Sequence, residues 1–218
     1  MPKRNLTCSL LAPVLAVMAL AVPLTAAAGN QQEEQLAASV IAGLAKAIAD
    51  APVPAGYANR PELQPWLAER SRRIAHRMTD ERERRELLAT VHYEAIRAGL
   101  DPQIMLGVIY HESGFKKYAL STAGARGYMQ VMPFWVTLIG ASEQNLFNLR
   151  TNLRYGAVIL RHYLVDIEKG DYYRALGRYN GSLGMPEYPQ AVMAAANRYF
   201  AYAPVATAAN AVGTPTPR

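Results

Sequence analysis

An acid, Glu112, stands at the end of an apolar helical stripe in this sequence. The residues of the stripe recur at three- and four-residue spacing, and they are Ile104, Met105, Val108 and Ile109. One further turn of the stripe reaches Glu112, so we expect the carboxyl group to face the core. The helix dipole also disfavours a negative charge at a C-terminal end, and both effects favour the protonated form. A carboxylic acid that stays protonated near neutral pH can protonate a leaving sugar oxygen, which predicts general acid catalysis in a glycosidase.

Two other interpretations of this acid have to be weighed. A glutamate at a helix end can simply point into water, and residue 112 alone does not exclude that. His111-Glu112 also matches the start of the zinc-protease pattern H-E-x-x-H, but the fifth residue is Phe115, so the second ligand is missing. His111 lies about 100° around the helix from Glu112, which predicts a surface residue. The remaining histidines have no ligand spacing, and they are His76, His92 and His162. The sequence predicts no metal and no cofactor.

Two further segments place polar groups among glycines and apolar residues. From Gly124 to Gln130 an amide follows flexible glycines and stands between Met129 and Val131, so we expect it to face a partner rather than water. Tyr179-Asn180-Gly181 follows a predicted helix, where Asn-Gly is a common turn pair. Each segment alone also fits an ordinary turn, so neither identifies a site by itself.

The elements that must position these residues are helices. Asp80 with Glu83 forms a capping-box pattern that opens a helix ending at Gly99, and Asp101-Pro102 opens the helix of Glu112. Other helices are predicted from Pro61 to Met78, from about Thr151-Asn152 to Glu168, from Asp171 to Tyr179 and from Glu187 to Phe200. The sequence shows no alternating strand pattern and no internal repeat. It predicts an all-α domain.

The first residues have the pattern of an export signal. Lys3 and Arg4 precede an apolar run from about Leu10 to Leu24, and an A-x-A cleavage site ends at Ala28. About 15 apolar residues are short of the roughly 20 that a spanning helix needs, which disfavours a retained anchor. The single cysteine, Cys8, precedes the run, which disfavours lipid attachment at the cleavage point. We therefore predict export to the periplasm with cleavage after Ala28.

Four segments follow from composition and pattern. They are a signal peptide over 1–28, an N-terminal helix with a Pro/Ala linker over 29–60, a helical domain over 61–202 and a disordered tail over 203–218. The N-terminal helix, from Gln31 to Asp50, has apolar residues at four-residue spacing, namely Leu36, Val40, Leu44 and Ile48. This helix could pack on the domain, pair with a partner or stay mobile on its linker, and we expect it to be mobile or to bind an envelope protein partner.

The charge and the length of the chain restrict the classes of function that are possible. A chain of 218 residues can form one domain with a substantial core, and its formal net charge is +6. Removal of residues 1–28 lowers this charge to +4, because Lys3 and Arg4 are lost and no acid precedes Gly29. That excess suits an anionic polymer. Zinc-finger spacing, a phosphate loop and an arginine-rich stripe are missing from the sequence, so we expect no nucleic-acid binding.

Together these motifs resemble the soluble lytic transglycosylase domain, roughly over Asp80 to Tyr199. The matching residues occur in order, and they are Gly99 to Pro102, Glu112-Ser113, Ser121, Gly124-Ala125, Gly127 to Pro133 and Tyr179 to Gly181. Two positions depart from the family pattern. Tyr128 replaces the leucine of Gly-Leu-Met-Gln, and Arg178 replaces the alanine of Ala-Tyr-Asn. Neither change removes a polar group that the chemistry needs.

The resemblance implies a goose-type lysozyme-like α-helical fold and non-hydrolytic cleavage of peptidoglycan. Glu112 would protonate the oxygen between N-acetylmuramic acid and N-acetylglucosamine. It would then act as base for the muramoyl 6-hydroxyl, which gives a 1,6-anhydro product. Tyr179 would hydrogen-bond and orient Glu112, and Ser113 would support the loop after the acid. Other residues would line the sugar subsites, and they are Ser121, Gln130, Met132 and Asn180.

Two competing functions remain open from the sequence. A lysozyme-type hydrolase on the same fold would pair Glu112 with a second carboxylate at a set separation. The later acids join no recognisable motif, and they are Glu143, Asp166, Glu168, Asp171 and Glu187. This disfavours hydrolysis. A non-catalytic wall-binding protein that keeps the fold is the other alternative, and it predicts that replacement of Glu112 leaves the activity of the chain unchanged.

Overall fold

The computed structural model describes Gln31, residues 35–49 and residues 51–201. Within these residues the chain forms eight α-helices: α1 Ala38–Ala49, α2 Gln64–Ile74, α3 Glu81–Ala98, α4 Pro102–Glu112, α5 Phe134–Ile139, α6 Leu149–Arg161, α7 Tyr172–Asn180 and α8 Glu187–Phe200. Short 3₁₀ turns cover Tyr57–Asn59 and Pro61–Leu63, and a π-helical turn over His162–Ile167 extends α6. The extended structure of this part of the chain consists of two isolated bridges around Arg126. The predicted all-α fold is confirmed.

Local capping signals explain where the central helices begin and end. Asp80 Oδ1 accepts a hydrogen bond of 2.8 Å from Glu83 N, and Asp101 Oδ1 accepts one of 2.8 Å from Gln103 N. Gly99 ends α3 in the left-handed conformation that favours glycine, with φ of 69°. These contacts confirm the predicted starts of α3 and α4. They also fix the short connection that sets the direction of α4.

The helix that carries Glu112 lies in the core. Its residues from Met105 to Ile109 are buried, and α4 packs along α8 and against α3. Gly107 allows the close approach to α8, because a Cβ atom there would lie 2.7 Å from the carbonyl oxygen of Val192. This packing fixes the position of the C-terminal turn of α4 and, with it, of Glu112.

The N-terminal helix is docked rather than mobile. α1 packs against α5 and α6, and its predicted apolar face is the face that is buried, through Leu44 and Ile48. Arg97 Nη1 donates to the Ala47 carbonyl at 3.2 Å, and Arg154 Nη1 donates to the Ile48 carbonyl at 3.3 Å. Two guanidinium groups thus bind the C-terminal end of α1, where the helix dipole favours positive charge. The expectation of a mobile helix is wrong for residues 38–49.

Other boundaries differ from the prediction. α6 begins at Leu149 with Asn148 as its N-cap, so Asn152 is a buried residue inside the helix rather than its start. α5 was not predicted. The predicted signal peptide over 1–28 and tail over 203–218 lie outside the described residues. No helix in the described part of the chain has the length and apolar character to cross a bilayer.

Candidate active site

The carboxyl group of Glu112 is buried between α4, α7 and α8. The residue is 7% exposed and lies at the C-terminal end of α4. The hydroxyl of Tyr188 in α8 donates a hydrogen bond of 2.6 Å to Glu112 Oε1, and the side chain of Asn180 at the end of α7 also hydrogen-bonds the carboxyl group. The other oxygen, Oε2, is buried and has no hydrogen-bond partner among the described residues. Three helices therefore hold the acid, with one oxygen left to carry a proton.

Burial dominates the protonation of this acid. Loss of hydration raises the pKa of Glu112 to about 7, while the hydrogen bonds from Tyr188 and Asn180 lower it by less. No charge from another acid contributes to this shift among the residues that the structure describes. A substantial fraction of the carboxyl groups is therefore protonated at neutral pH. This is the state that the position of Glu112 on the apolar stripe predicts.

The chain turns sharply directly after the acid. Gly114 and Phe115 both have positive φ, of 58° and 69°, and the latter value is unusual for a bulky residue. Ser113 stabilises this turn, since its Oγ donates to the Ile109 carbonyl at 3.1 Å and accepts from Phe115 N at 3.2 Å. The buried ring of Phe115 packs against Phe200. Ser113 thus links the last turn of α4 to the backbone of the turn that follows the acid.

A second loop, residues 119–132, is held by two buried amides. Gln130 has a positive φ of 49°, and its Nε2 donates at 3.0 Å to the carbonyl oxygens of both Ala119 and Gly127. Asn152 in α6 accepts from Met129 N at 2.8 Å and donates to the Arg126 carbonyl at 2.7 Å. The Gln130 amide faces the backbone of its own loop, so in this structure it shapes the loop.

The tyrosine that contacts the acid is Tyr188 rather than Tyr179. Tyr179 is fully buried, and its hydroxyl donates to the Met129 carbonyl at 2.8 Å. Burial and, next, the nearby charge of Glu112 hold the pKa of Tyr179 well above its ordinary value. Tyr179 therefore joins α7 to the loop of Met129 and lies close to the acid. The direct hydrogen bond that the resemblance assigned to it is made by Tyr188.

The remaining predicted site residues lie on the same two loops and helices. Ser121 is partly exposed, and its Oγ accepts a hydrogen bond of 3.0 Å from Ala125 N. Met132 is partly buried and follows the Gln130 loop directly. Asn180 reaches Glu112 itself. The structure thus brings Asn180 to the acid and places Ser113, Gln130 and Tyr179 in contacts that shape its surroundings.

The two departures from the family pattern are explained by local contacts. Arg178 Nε binds Glu168 Oε1, and Arg174 Nε binds Glu168 Oε2 at 2.5 Å. Residue 178 therefore forms an ion pair at the position where the family has alanine. Tyr128 is 4% exposed, and its ring belongs to the buried core. Its ring therefore packs in the core at the position where the family has leucine.

Three of the other acids of the C-terminal half have structural partners. Glu168 binds two arginines, Asp166 binds His162 and Arg161, and Asp171 caps α7 by accepting from Arg174 N. Glu187 is exposed in the first turn of α8. His111 is exposed, as predicted. Among the described residues, no group of three or more potential metal ligands comes together.

Sequence reasoning missed Tyr188 and Asn152. Tyr188 is the second residue of α8, 76 positions after Glu112, and nothing in its local pattern points to the acid. Asn152 was interpreted as a helix start, because asparagine favours that position. Asn152 lies on the same helical face as Tyr155 and Ile159, which are buried. This spacing is the signal that could have identified Asn152 as an amide that faces the core.

Comparison with known proteins identifies a family over part of the chain. Residues 90–197 match the family described as Transglycosylase SLT domain. The chain is 43% identical over 115 residues to membrane-bound lytic murein transglycosylase C of Mannheimia succiniciproducens. This match covers 46% of this chain and 32% of that protein. The chain is 30% identical over 118 residues to the transglycosylase of Enterobacteria phage PRD1, which covers 51% of this chain and 43% of that protein.

A solved structure is also similar, that of an inactive variant of the lytic transglycosylase Slt from Pseudomonas aeruginosa. The similarity has 26% identity and a TM-score of 0.46 and covers 51% of this chain and 23% of that one. The described fold is helical, and its acid Glu112 is buried. Residues 90–197 belong to the transglycosylase SLT family, which confirms the family predicted from the motifs. The chain spans less than half the length of the two curated relatives.

Proposed function

We propose that this chain is a peptidoglycan lytic transglycosylase. It would cleave the β-1,4 bond between N-acetylmuramic acid and N-acetylglucosamine without water and leave 1,6-anhydro-N-acetylmuramic acid ends. The observation that carries the proposal is the buried carboxyl group of Glu112, whose pKa is about 7 and which has no second acid beside it among the described residues. Membership of residues 90–197 in the SLT family supports the same reaction.

The first step uses the proton of Glu112. Tyr188 donates to Oε1, so Oε1 is an acceptor and the carboxyl proton resides on the unpartnered Oε2. Oε2–H protonates the glycosidic oxygen, the bond from that oxygen to the muramoyl C1 breaks, and N-acetylglucosamine leaves with a free 4-hydroxyl. The carboxylate that forms is stabilised by the hydrogen bonds from Tyr188 and Asn180.

The second step returns the proton. The Glu112 carboxylate removes the proton of the muramoyl 6-hydroxyl, and O6 forms a bond to C1 of the same sugar. The acid is thereby regenerated and no water is consumed. An inverting or retaining hydrolase needs a second carboxylate to activate water or to form a glycosyl intermediate. An internal nucleophile removes that need, which agrees with the isolation of Glu112.

The product ends test this proposal. Purified protein is incubated with cell-wall sacculi, and the soluble fragments are analysed by mass spectrometry. We expect fragments 18 Da lighter than hydrolytic products, since an anhydro end forms by loss of the elements of water relative to a reducing end. Reducing muramic acid ends would show a hydrolase instead. Sacculi that stay intact with the native chain but bind it would favour the wall-binding alternative.

We further propose that Ser121, Met132 and Asn180 contact the glycan. Ser121 and Met132 flank the loop that Gln130 and Asn152 hold, and Asn180 lies at the acid. Ser113, Gln130 and Tyr179 would act by fixing the loops around Glu112, although Gln130 was predicted to line a sugar subsite. Replacing Asn180 by alanine would raise the KM for soluble glycan and lower kcat together, because Asn180 also binds the acid.

Export and partners complete the proposal. We infer that residues 1–28 direct the chain to the periplasm and that cleavage follows Ala28, which mass measurement of the mature chain would test. An envelope protein partner would have to use the exposed face of α1, because the opposite face packs on the domain. Photo-crosslinking from Ser39, which lies on that exposed face, would identify such a partner or show none.

A further inference from the structure

The side chain of Gln31 is bound within the helical domain. The residue is 5% exposed although it precedes α1. Its Oε1 accepts a hydrogen bond of 3.0 Å from the indole Nε1–H of Trp135 and a longer one of 3.4 Å from Met132 N. Gln31 also hydrogen-bonds the hydroxyl of Tyr179. A single amide thus occupies three polar groups contributed by α5, the loop before it and α7.

This position lies next to the acid. The Tyr179 hydroxyl that Gln31 contacts lies close enough to Glu112 for the carboxylate charge to act on it. Met132 follows the loop that Gln130 holds. The Gln31 amide is therefore bound within the proposed substrate site rather than on an unrelated surface.

The pattern of these contacts has a chemical equivalent in the glycan. Gln31 Oε1 accepts from the Trp135 indole, while the Tyr179 hydroxyl beside Gln31 donates its proton to the Met129 carbonyl. The side chain of Gln31 is a planar amide that carries a carbonyl acceptor and N–H donors. The 2-acetamido group of an N-acetylated sugar carries the same two groups on one planar amide. Trp135 Nε1–H is buried and must keep an acceptor, so a carbonyl that replaces Gln31 would satisfy it.

We propose that Trp135 recognises the acetamido carbonyl of the glycan and that Gln31 is an intramolecular competitor for the same indole N–H. This inference rests on the proposed function for its choice of sugar. Glycan binding would displace the Gln31 side chain from Trp135. The apparent Kd for glycan would therefore be the intrinsic Kd divided by the fraction of molecules in which Trp135 is free of Gln31. The selectivity would be for N-acetylated over N-deacetylated glycan.

Nuclear magnetic resonance of the indole N–H groups tests the recognition step. The chain has two tryptophans, so the spectrum has two indole signals, and the Trp135→Phe variant assigns the one of interest. The Glu112→Gln variant keeps the glycan intact during the measurement. We expect soluble peptidoglycan glycan to shift the Trp135 signal, N-deacetylated glycan to leave it in place and chemical re-acetylation to restore the shift. A signal that stays in place with native glycan, or moves equally with both, would overturn the proposal.

Kinetics with the full chain test the competition. We expect Gln31→Ala to lower KM for soluble glycan by about fivefold, the effect of one net hydrogen bond, with kcat unchanged. Gln32→Ala is the matched control, because it removes the same side-chain type from the next position. In the Trp135→Phe background the effect of Gln31→Ala should shrink, since the shared partner is gone. An unchanged or raised KM for Gln31→Ala, or an equal effect from Gln32→Ala, would contradict the role of Gln31.

These outcomes are separable from the fate of the proposed reaction. The indole shift is a binding measurement in a variant without the acid, so it holds or fails whatever products the native chain forms. Reducing ends in the product analysis would reject the transglycosylase reaction and leave acetamido recognition standing. Anhydro ends together with an unmoved Trp135 signal would reject this inference and leave the reaction standing.

Discussion

Glu94 and Glu112 are both carboxylates on the buried faces of helices, and their surroundings give them different roles. Glu94 in α3 is fully buried, and its Oε2 accepts from Arg154 Nε at 2.6 Å and from Arg97 Nε at 3.0 Å. The same two arginines donate to carbonyl groups at the end of α1. Glu94 therefore anchors the cations that hold the N-terminal helix in place.

Among the residues that the structure describes, no cation binds Glu112. Its hydrogen bonds come from the neutral side chains of Tyr188 and Asn180, and burial raises its pKa to about 7. The comparison shows that the partners of a buried carboxyl group, and not its burial alone, distinguish Glu112 from Glu94. A buried acid that is matched by guanidinium groups serves structure, and one that is left with neutral donors keeps a proton available.

The largest expected effect is on catalysis at Glu112. We expect Glu112→Gln to lower kcat by about 10²–10⁴-fold, because an amide cannot transfer the proton. The variant should fold, since glutamine keeps the shape and can still accept from Tyr188. Release of soluble fragments from sacculi measures the rate, and circular dichroism checks the fold. A folded variant with native activity would show that the chemistry lies elsewhere.

The matched change at Glu94 should affect stability instead. We expect Glu94→Gln to lower the free energy of unfolding by about 3–5 kcal/mol, because two buried or half-buried arginines lose their carboxylate. Activity per folded molecule should be retained, since none of the groups that contact Glu112 is changed. Urea unfolding measures the first quantity, and initial rates at low temperature measure the second. A loss of kcat as large as that of Glu112→Gln would remove the distinction between the two acids.

The pH dependence of stability gives a third test of the comparison. A Glu112 pKa raised from 4.5 to about 7 means that the folded state keeps a proton that the unfolded state releases. The native chain should therefore match Glu112→Gln below about pH 4.5 and lose stability relative to it as pH rises. The difference should level off above pH 7 at about 3 kcal/mol. Urea unfolding of both chains from pH 4 to 8 measures it, and a constant difference would contradict the burial argument.

This comparison also shows how far the sequence alone reaches. Glu94 follows Leu87 and Val91 on an apolar stripe just as Glu112 follows Met105 and Val108, so the pattern predicts two buried acids and cannot rank them. Arg154, which distinguishes them, lies 60 residues after Glu94. Only the motif resemblance selected Glu112, and no stripe argument could have done so.

The ends of helices were predictable where a single side chain caps its own helix. Asp80, Asp101 and Asp171 cap their helices as their positions predict, and α8 has the predicted bounds. Contacts between distant elements were not predictable, because one pattern fits several partners. The docking of α1 and the choice of Tyr188 over Tyr179 are of this second kind.

The smallest expected effect concerns the neutral donor that distinguishes Glu112 from Glu94. Tyr188 O–H favours the charged form of the acid, so Tyr188→Phe should raise the pKa of Glu112 further. The alkaline limb of kcat/KM should then move to higher pH. The base step should weaken because the carboxylate loses a donor, and kcat should fall about tenfold, as expected for one hydrogen bond to a charged group. A pH–rate profile on soluble glycan measures both changes.

Tyr173→Phe is the control for this variant. Its hydroxyl donates to the Pro186 carbonyl at 3.3 Å, two residues before Tyr188, and makes no contact with Glu112. Loss of that contact should leave the alkaline limb where it is. If Tyr188→Phe lowered kcat without moving the limb, or if Tyr173→Phe moved it as far, Tyr188 would act through the packing of α8 rather than on the acid. If the alkaline limb moves only in Tyr188→Phe, the neutral hydroxyl of Tyr188 sets the pKa of Glu112. A guanidinium group in its place would keep the acid ionised.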